Sequence, residues 1–194
     1  MMMVENPHLV ADELFHLLRT AGDQEYLGEG VTQLAHAVQT ANLAMRSGAP
    51  DVLVVAALLH DIGHLCAPED AQSMAGVGVV EHEFVGADFL QERGFSDLVT
   101  EVIYGHVPAK RYLVARCQEY AKRLSPASIQ TLGFQGGPMT EAEAASFETQ
   151  PFFQEKIQLR MWDDRAKCPG IKVPQLENYY GMIVEHLTQG LHSD

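Results

Sequence analysis

Apolar positions along this chain recur with the period of an α-helix almost everywhere. Residues 9–20 predict a first helix. Leu34, Val38, Ala41 and Met45 form an apolar stripe on a second, which ends near Ser47-Gly48. Asp51 caps a third, whose VLVVAALL core predicts burial on most faces. Residues 81–93 give a fourth, stopped by Gly94, and Ser96 caps a fifth that runs to about His106, before Pro108. Ser125-Pro126 reads as a cap followed by a first helical position. Thr140-Glu141-Ala142-Glu143 has the capping-box pattern and opens a late helix. Residues 155–163 and 176–187 complete the set. Two stretches resist a helical reading: residues 66–80, rich in Gly, Ala and Pro, and the turn Gln135-Gly136-Gly137-Pro138. Strand-like alternation is nearly absent, so the expected fold class is all-α.

Length and composition narrow this further. The 194 residues suffice for one domain, 1–194, with a substantial core. The longest apolar run, residues 52–59, is too short to span a bilayer. The first twelve residues contain acids and no basic cluster, so no secretory signal is expected. Three widely spaced cysteines (Cys66, Cys117, Cys168) predict reduced thiols in a cytoplasmic protein. With no spanning run a membrane is not an expected partner, and a formal net charge of −13 repels phosphate backbones, so nucleic acid is not one either. A small anionic substrate stays open, because a few inward-pointing cations can dominate a pocket whatever the surface carries.

The chemistry starts where the apolar third helix closes on Leu58-Leu59-His60-Asp61-Ile62-Gly63-His64. A buried imidazole and carboxylate need partners. An adjacent His and Asp can share one metal, and the carboxylate can also bridge to a second. Gly63 permits a tight turn just beyond. His36, His82, His106 and Asp163 occupy similar settings on other helices. Four histidines and two carboxylates suit iron, manganese or zinc, and the lack of a cysteine cluster argues against a structural zinc or an iron–sulfur site. Any one of these histidines alone reads as a packed core residue. His8, His16, His186 and His192 are read as surface or terminal.

Taken in order, H…HD…H…H…D on helices resembles the HD-domain metalloproteins. Most of that family are phosphohydrolases, and some bind two metals when extra histidines are present, as His82 and His106 are here. Further motifs resemble a smaller branch, the mixed-valent di-iron oxygenases that cleave the carbon–phosphorus bond of 1-hydroxyphosphonates. They are Glu25-Tyr26-Leu27-Gly28-Glu29, residues 58–64, residues 86–95, the run GHVPAKRYL over 105–113, LSPAS over 124–128, residues 131–139 ending in QGGPM, and Met161-Trp162-Asp163.

The resemblance implies an HD-domain helical bundle with a di-metal site in its core, loaded with two iron ions as Fe(II)/Fe(III). His36, His60, Asp61 and Asp163 would bind the first iron, Asp61 would bridge, and His82 and His106 would bind the second. His64, Lys110, Ser128, Thr131 and Arg160 would hold the phosphonate. Tyr26 and Glu29 would form a gate, Tyr26 occupying an iron until substrate displaces it. The implied reaction takes O2 and a 1-hydroxy-2-(amino or trimethylammonio)ethylphosphonate, and releases phosphate with glycine or glycine betaine. Ala35 stands where the primary-amine branch carries an acidic residue, so the bulkier trimethylammonium group is the expected substituent. The competing readings are a two-metal phosphohydrolase of a small phosphate ester, and a non-catalytic HD module that senses a ligand.

Overall fold

The computed structural model describes residues 6–20, 22–26, 28–68, 71–72, 74 and 78–190. In chain order the helices are α1 (Pro7–Thr20), α2 (Gln33–Arg46), α3 (Asp51–Leu59), α4 (Gly63–Cys66), α5 (His82–Gln91), α6 (Asp97–Arg116), α7 (Gln118–Ala121), α8 (Pro126–Phe134), α9 (Glu141–Glu148), α10 (Phe153–Asp163) and α11 (Tyr180–Gly190). A 3₁₀ turn, Leu176–Tyr179, leads into α11. No strand occurs among the described residues, and an isolated bridge joins Glu25 to Thr32.

The expected caps divide. Ser125 accepts from the Ser128 N–H, and Thr140 and Glu143 form the full capping box; Thr32, which the sequence reading did not single out, caps α2 by accepting from the Ala35 N–H. At α3 the cap is Pro50, and Asp51 is instead the first helical residue, where its charge complements the helix dipole. Ser96 holds the cap position of α6 without a side-chain bond, and its N–H donates to His186 Nε2 at 3.2 Å. His186 is thus a half-buried structural partner. His192 lies outside the described residues.

The largest departure is α6, which continues past Pro108 to Arg116. An internal proline costs a helix about 3 kcal/mol. Here α6 runs between α5 and α10, with buried residues before and after the proline: Val102, Ile103, His106, Val107, Ala109 and Lys110. Burial on both sides outweighs one missing hydrogen bond.

Helix α3 is the hub of the core. Leu53 through Leu59 are all buried, and α2, α6, α10 and α11 pack around them. The core reaches from Val10 and Leu14 of α1 to Ile183 and Leu187 of α11. The ends of α2, α3, α5 and α10 and the middle of α6 therefore meet at one buried place. Among the described residues, no helix is long and apolar enough to cross a membrane.

Candidate metal centre and adjoining cavity

All six expected ligand residues are buried and converge. They fall into two groups whose donor atoms lie within metal-binding distance of one another: His36, His60 and Asp163, and Asp61, His82 and His106. Within the first, His36 Nε2 lies 3.2 Å from His60 Nε2 and 3.3 Å from Asp163 Oδ1. Within the second, His82 Nε2 lies 3.1 Å from His106 Nε2. Asp61 stands between them. Its Oδ2 is 3.2 Å from His60 Nε2 and 3.5 Å from His36 Nε2, while Oδ1 is 3.3 Å from His82 Nε2 and 3.5 Å from His106 Nε2.

The wiring behind these groups fits cations. His36 Nδ1 donates to the Ala166 carbonyl at 2.9 Å, His60 Nδ1 to that of Ala57 at 2.9 Å, and His106 Nδ1 to that of Ile103 at 2.6 Å. A neutral ring so held presents its Nε2 lone pair inward, the arrangement metal-binding histidines use. Facing lone pairs about 3 Å apart need a positive charge between them. Asp61 Oδ2 and Asp163 Oδ1 are likewise buried without a hydrogen-bond donor. The demand for charge shows at His60. Burial disfavours its protonation, yet Asp61, reinforced by Asp163, pushes its pKa up to about 9. Burial would raise the Asp61 carboxyl, but His60, His106 and His82 hold it well below its ordinary range. The residues present fit two metal ions.

A small cavity opens beside the two groups, about 30 Å³ in volume. Lys110, Ser128, Thr131, Arg160 and His64 all line it, as do Tyr26 and Glu29. Lys110 is buried rather than solvated, and its Nζ donates to Thr131 Oγ1 at 2.9 Å. Burial, then the nearby Arg160, pull its pKa down to about 7. His64 stacks on His82 with ring centroids 4.0 Å apart, and its Nδ1 accepts the Val79 N–H at 3.1 Å. Its Nε2 then carries the proton and is buried without a partner. Burial and His82 keep this ring well below its ordinary basicity, so it is a neutral donor at the cavity.

Arg160 reaches the cavity but is largely engaged elsewhere. Nη1 is 2.8 Å from Asp163 Oδ2, Nη2 pairs with Asp164, and Nε donates to the Tyr120 hydroxyl at 3.1 Å. Its clearest role is to orient Asp163. Arg111, next to Lys110, donates to the Gly137 carbonyl at 2.8 Å and pairs with Glu143 at 2.7 Å. The GHVPAKRYL and QGGPM runs are thereby joined in space.

Tyr26 and Glu29 sit on the loop between α1 and α2. Its ends are pinned by the Tyr26 N–H to the Val31 carbonyl (2.7 Å) and the Gln33 N–H to the Gln24 carbonyl (3.0 Å). Gly28 and Gly30, with φ of +73° and +70°, make the reversal possible. The Tyr26 ring stacks on His36 at 3.9 Å between centroids. Burial, then Asp61 and Asp163, push its phenol well above the ordinary range.

Gly63 follows the turn at residues 60–62 and opens α4. A Cβ on it would stand 2.0 Å from the His82 carbonyl oxygen and 2.8 Å from the Gly86 nitrogen, so the residue is small because α4 and α5 touch there. Ala35 is not among the residues that line the cavity in this closed form. One site residue escaped the sequence reading, Lys167, which lines the cavity and bonds Glu29 and Ser128. Along the chain it stands only four residues after Asp163.

Comparison with known proteins agrees with this geometry. Residues 15–129 match the model of the HD domain. The chain is 47% identical over 168 residues to a hydroxymethylphosphonate dioxygenase of Gimesia maris, covering 86% of this chain and 83% of that one. It is 41% identical over 162 residues to a glycine-betaine-forming [1-hydroxy-2-(trimethylamino)ethyl]phosphonate dioxygenase of Leisingera caerulea, covering 84% and 82%. An uncharacterised protein of Acanthamoeba polyphaga mimivirus is 36% identical over 181 residues, covering 93% and 83%. Matching sequence, helical core and paired His/Asp groups together place this chain in the HD-domain family, among relatives that include hydroxyphosphonate dioxygenases.

Proposed function

We propose that this chain is a di-iron oxygenase that cleaves the carbon–phosphorus bond of a 1-hydroxyphosphonate with O2, in the cytoplasm, where its three free cysteines stay reduced. The observation that carries this reading is the opening of two His/Asp groups and a cradle of Lys110, Ser128 and Thr131 into one cavity. His36, His60 and Asp163 would hold one iron, His82 and His106 the other, and Asp61 would offer one oxygen to each. When bound, an Fe(II)/Fe(III) pair would polarise the substrate hydroxyl and supply the redox chemistry that O2 requires.

The chain's own groups do the positioning. Lys110 and the hydroxyls of Ser128 and Thr131 supply charge-assisted and neutral hydrogen bonds to the phosphonate oxygens. The His64 Nε2 proton supplies another. Held there, the substrate has its carbinol carbon turned towards the two His/Asp groups, which is an orientation effect. Tyr26 and Glu29 close the cavity on the remaining side and exclude water until substrate arrives. The reaction balances without an external reductant: R–CH(OH)–PO₃²⁻ and O2 give R–COO⁻, HPO₄²⁻ and a proton. With an aminomethyl or trimethylammoniomethyl R the product is glycine or glycine betaine, and with hydrogen it is formate.

An oxygen electrode coupled to a phosphate assay tests this on iron-loaded protein. Hydroxymethylphosphonate, its aminomethyl homologue and the trimethylammonium analogue are the three substrates to offer. At least one should consume O2 and release phosphate one for one. Phosphate release from these compounds or from phosphate esters without O2 uptake would make the chain a phosphohydrolase instead.

Lys110 gives the binding step a pH dependence. With its pKa near 7, the lysine is largely neutral above that pH in the unliganded site. A bound dianion favours the charged form, so binding takes up a proton there, and affinity falls by at most about tenfold per pH unit as pH rises. Dividing the wild-type profile by that of Lys110→Arg, which stays charged, cancels the ionisation of the ligand. The ratio of methylphosphonate affinities should decline above pH 7, and a flat ratio would mean that Lys110 is already charged before binding.

A further inference from the structure

Lys167 follows α10 and points back into the cavity, with its side chain only 12% exposed. Its Nζ donates to Glu29 Oε1 at 3.2 Å and to Ser128 Oγ at 3.0 Å. The same ammonium lies 5.8 Å from the centroid of the Tyr26 ring, within cation–π range. One cation thus touches both residues of the gate loop and one hydroxyl of the anion cradle. Ser125 adds a neutral link, its hydroxyl bonding Glu29 and lying 3.1 Å from Ser128 Oγ.

With the loop in this position the cavity has about 30 Å³, room for no more than a few water molecules. A hydroxyalkylphosphonate is several times bulkier, so the loop has to yield when one binds. A phosphonate dianion bound at Ser128 would stand within reach of the Lys167 ammonium, and it carries more charge than the Glu29 carboxylate. Once the lysine turns to the phosphonate, Glu29 loses its counter-ion and faces a like charge.

We propose that Lys167 is a positioning residue that latches the Tyr26–Glu29 loop over the unfilled site and transfers to the phosphonate on binding, so that filling the cradle releases the gate. The proposal rests on the phosphonate reading of that cradle.

The test uses the full chain and methylphosphonate, which lacks the reacting hydroxyl and so binds without turnover. Calorimetry reads affinity, and amide hydrogen exchange reads the loop over residues 22–35. In the wild type, methylphosphonate should speed exchange in that segment. In Lys167→Gln, exchange should be fast already without ligand, should not rise on binding, and affinity should fall about tenfold, the worth of one charge-assisted hydrogen bond. Lys167→Arg should restore the slow exchange. Glu29→Gln breaks the latch from the other side and covers the case of a Lys167→Gln chain that does not fold. It should free the loop while tightening methylphosphonate binding, because the lysine is no longer shared. Wild-type binding that slows or leaves unchanged the loop exchange would overturn the transfer. So would tight binding by Lys167→Gln. A wild type that binds neither methylphosphonate nor phosphate would instead overturn the cradle reading, and the latch with it.

Discussion

Asp61→Asn should lower bound iron from two ions per chain to one or none and take phosphate release below detection. Each Asp61 oxygen faces a different His pair at 3.2–3.5 Å. An amide of the same shape keeps one acceptor and turns an NH₂ group towards the other pair. It also removes the only negative charge shared by the two groups. Removing a partner that merely orients a ligand costs about 10–100-fold in metal affinity, and loss of a shared carboxylate costs more. The isosteric change leaves the apolar packing of α3 intact, so the metal-free variant should still give a helical circular-dichroism spectrum. Metal analysis after anaerobic loading checks the claim. Two tightly held ions in the variant would remove Asp61 from its bridging place.

The second large effect is Gly63→Ala. The added methyl meets the backbone of His82 and Gly86 at 2.0 and 2.8 Å, and backbone cannot rotate away as a side chain can. The start of α5 must move, and His82 is its first residue. Overpacking of this kind costs about 1–3 kcal/mol, a fall in melting temperature of roughly 2–12 °C for a chain of this length. The functional loss should be larger, on the order of 100-fold in phosphate release, because about 1 Å of misplacement at a reacting site is worth that much. Gly133→Ala is the matched control. It lies in α8, and a Cβ there meets nothing within 4 Å. It should be neutral or stabilise by roughly 0.4–1 kcal/mol. Equal losses in both variants would show that helix packing at Gly63 is not what holds His82 in place.

These two glycines mark the limit of what the sequence makes legible. An apolar helix that closes on His60-Asp61, with caps at Ser125 and Thr140, can be read along the chain because each signal is local. The six ligand positions become readable through their order on those helices. Gly63 and Gly133 look alike in sequence, since close approach of another helix is a property of space. The same holds for Gly105, where a Cβ would collide with the Lys156 stem at 2.4 Å, so that α10 can lie against α6 beside His106. Pro108 misleads because a local penalty is outweighed by burial that only the folded helix creates. The resemblance alone implies a phosphonate-binding role for Arg160, and its engagement with Asp163, Asp164 and Tyr120 cannot be read along the chain. Lys167 escaped because its partners, Glu29 and Ser128, are 138 and 39 residues away.

Lys110, Arg160 and Lys167 line the cavity, and among the carboxylates lining it only Glu29 lies outside the metal-binding groups. On the proposed reading, the phosphonate end of the substrate is the part these cations would hold, whichever substituent it carries.

The most direct measurement is turnover of a hydroxyphosphonate under ¹⁸O₂ in ordinary water, with mass analysis of both products. Oxygenative cleavage predicts one labelled oxygen in the phosphate and one in the carboxylate, and no phosphate at all when O2 is withheld. Unlabelled phosphate, formed equally well in anaerobic solution and labelled only when the water is H₂¹⁸O, would contradict it and leave a two-metal hydrolase.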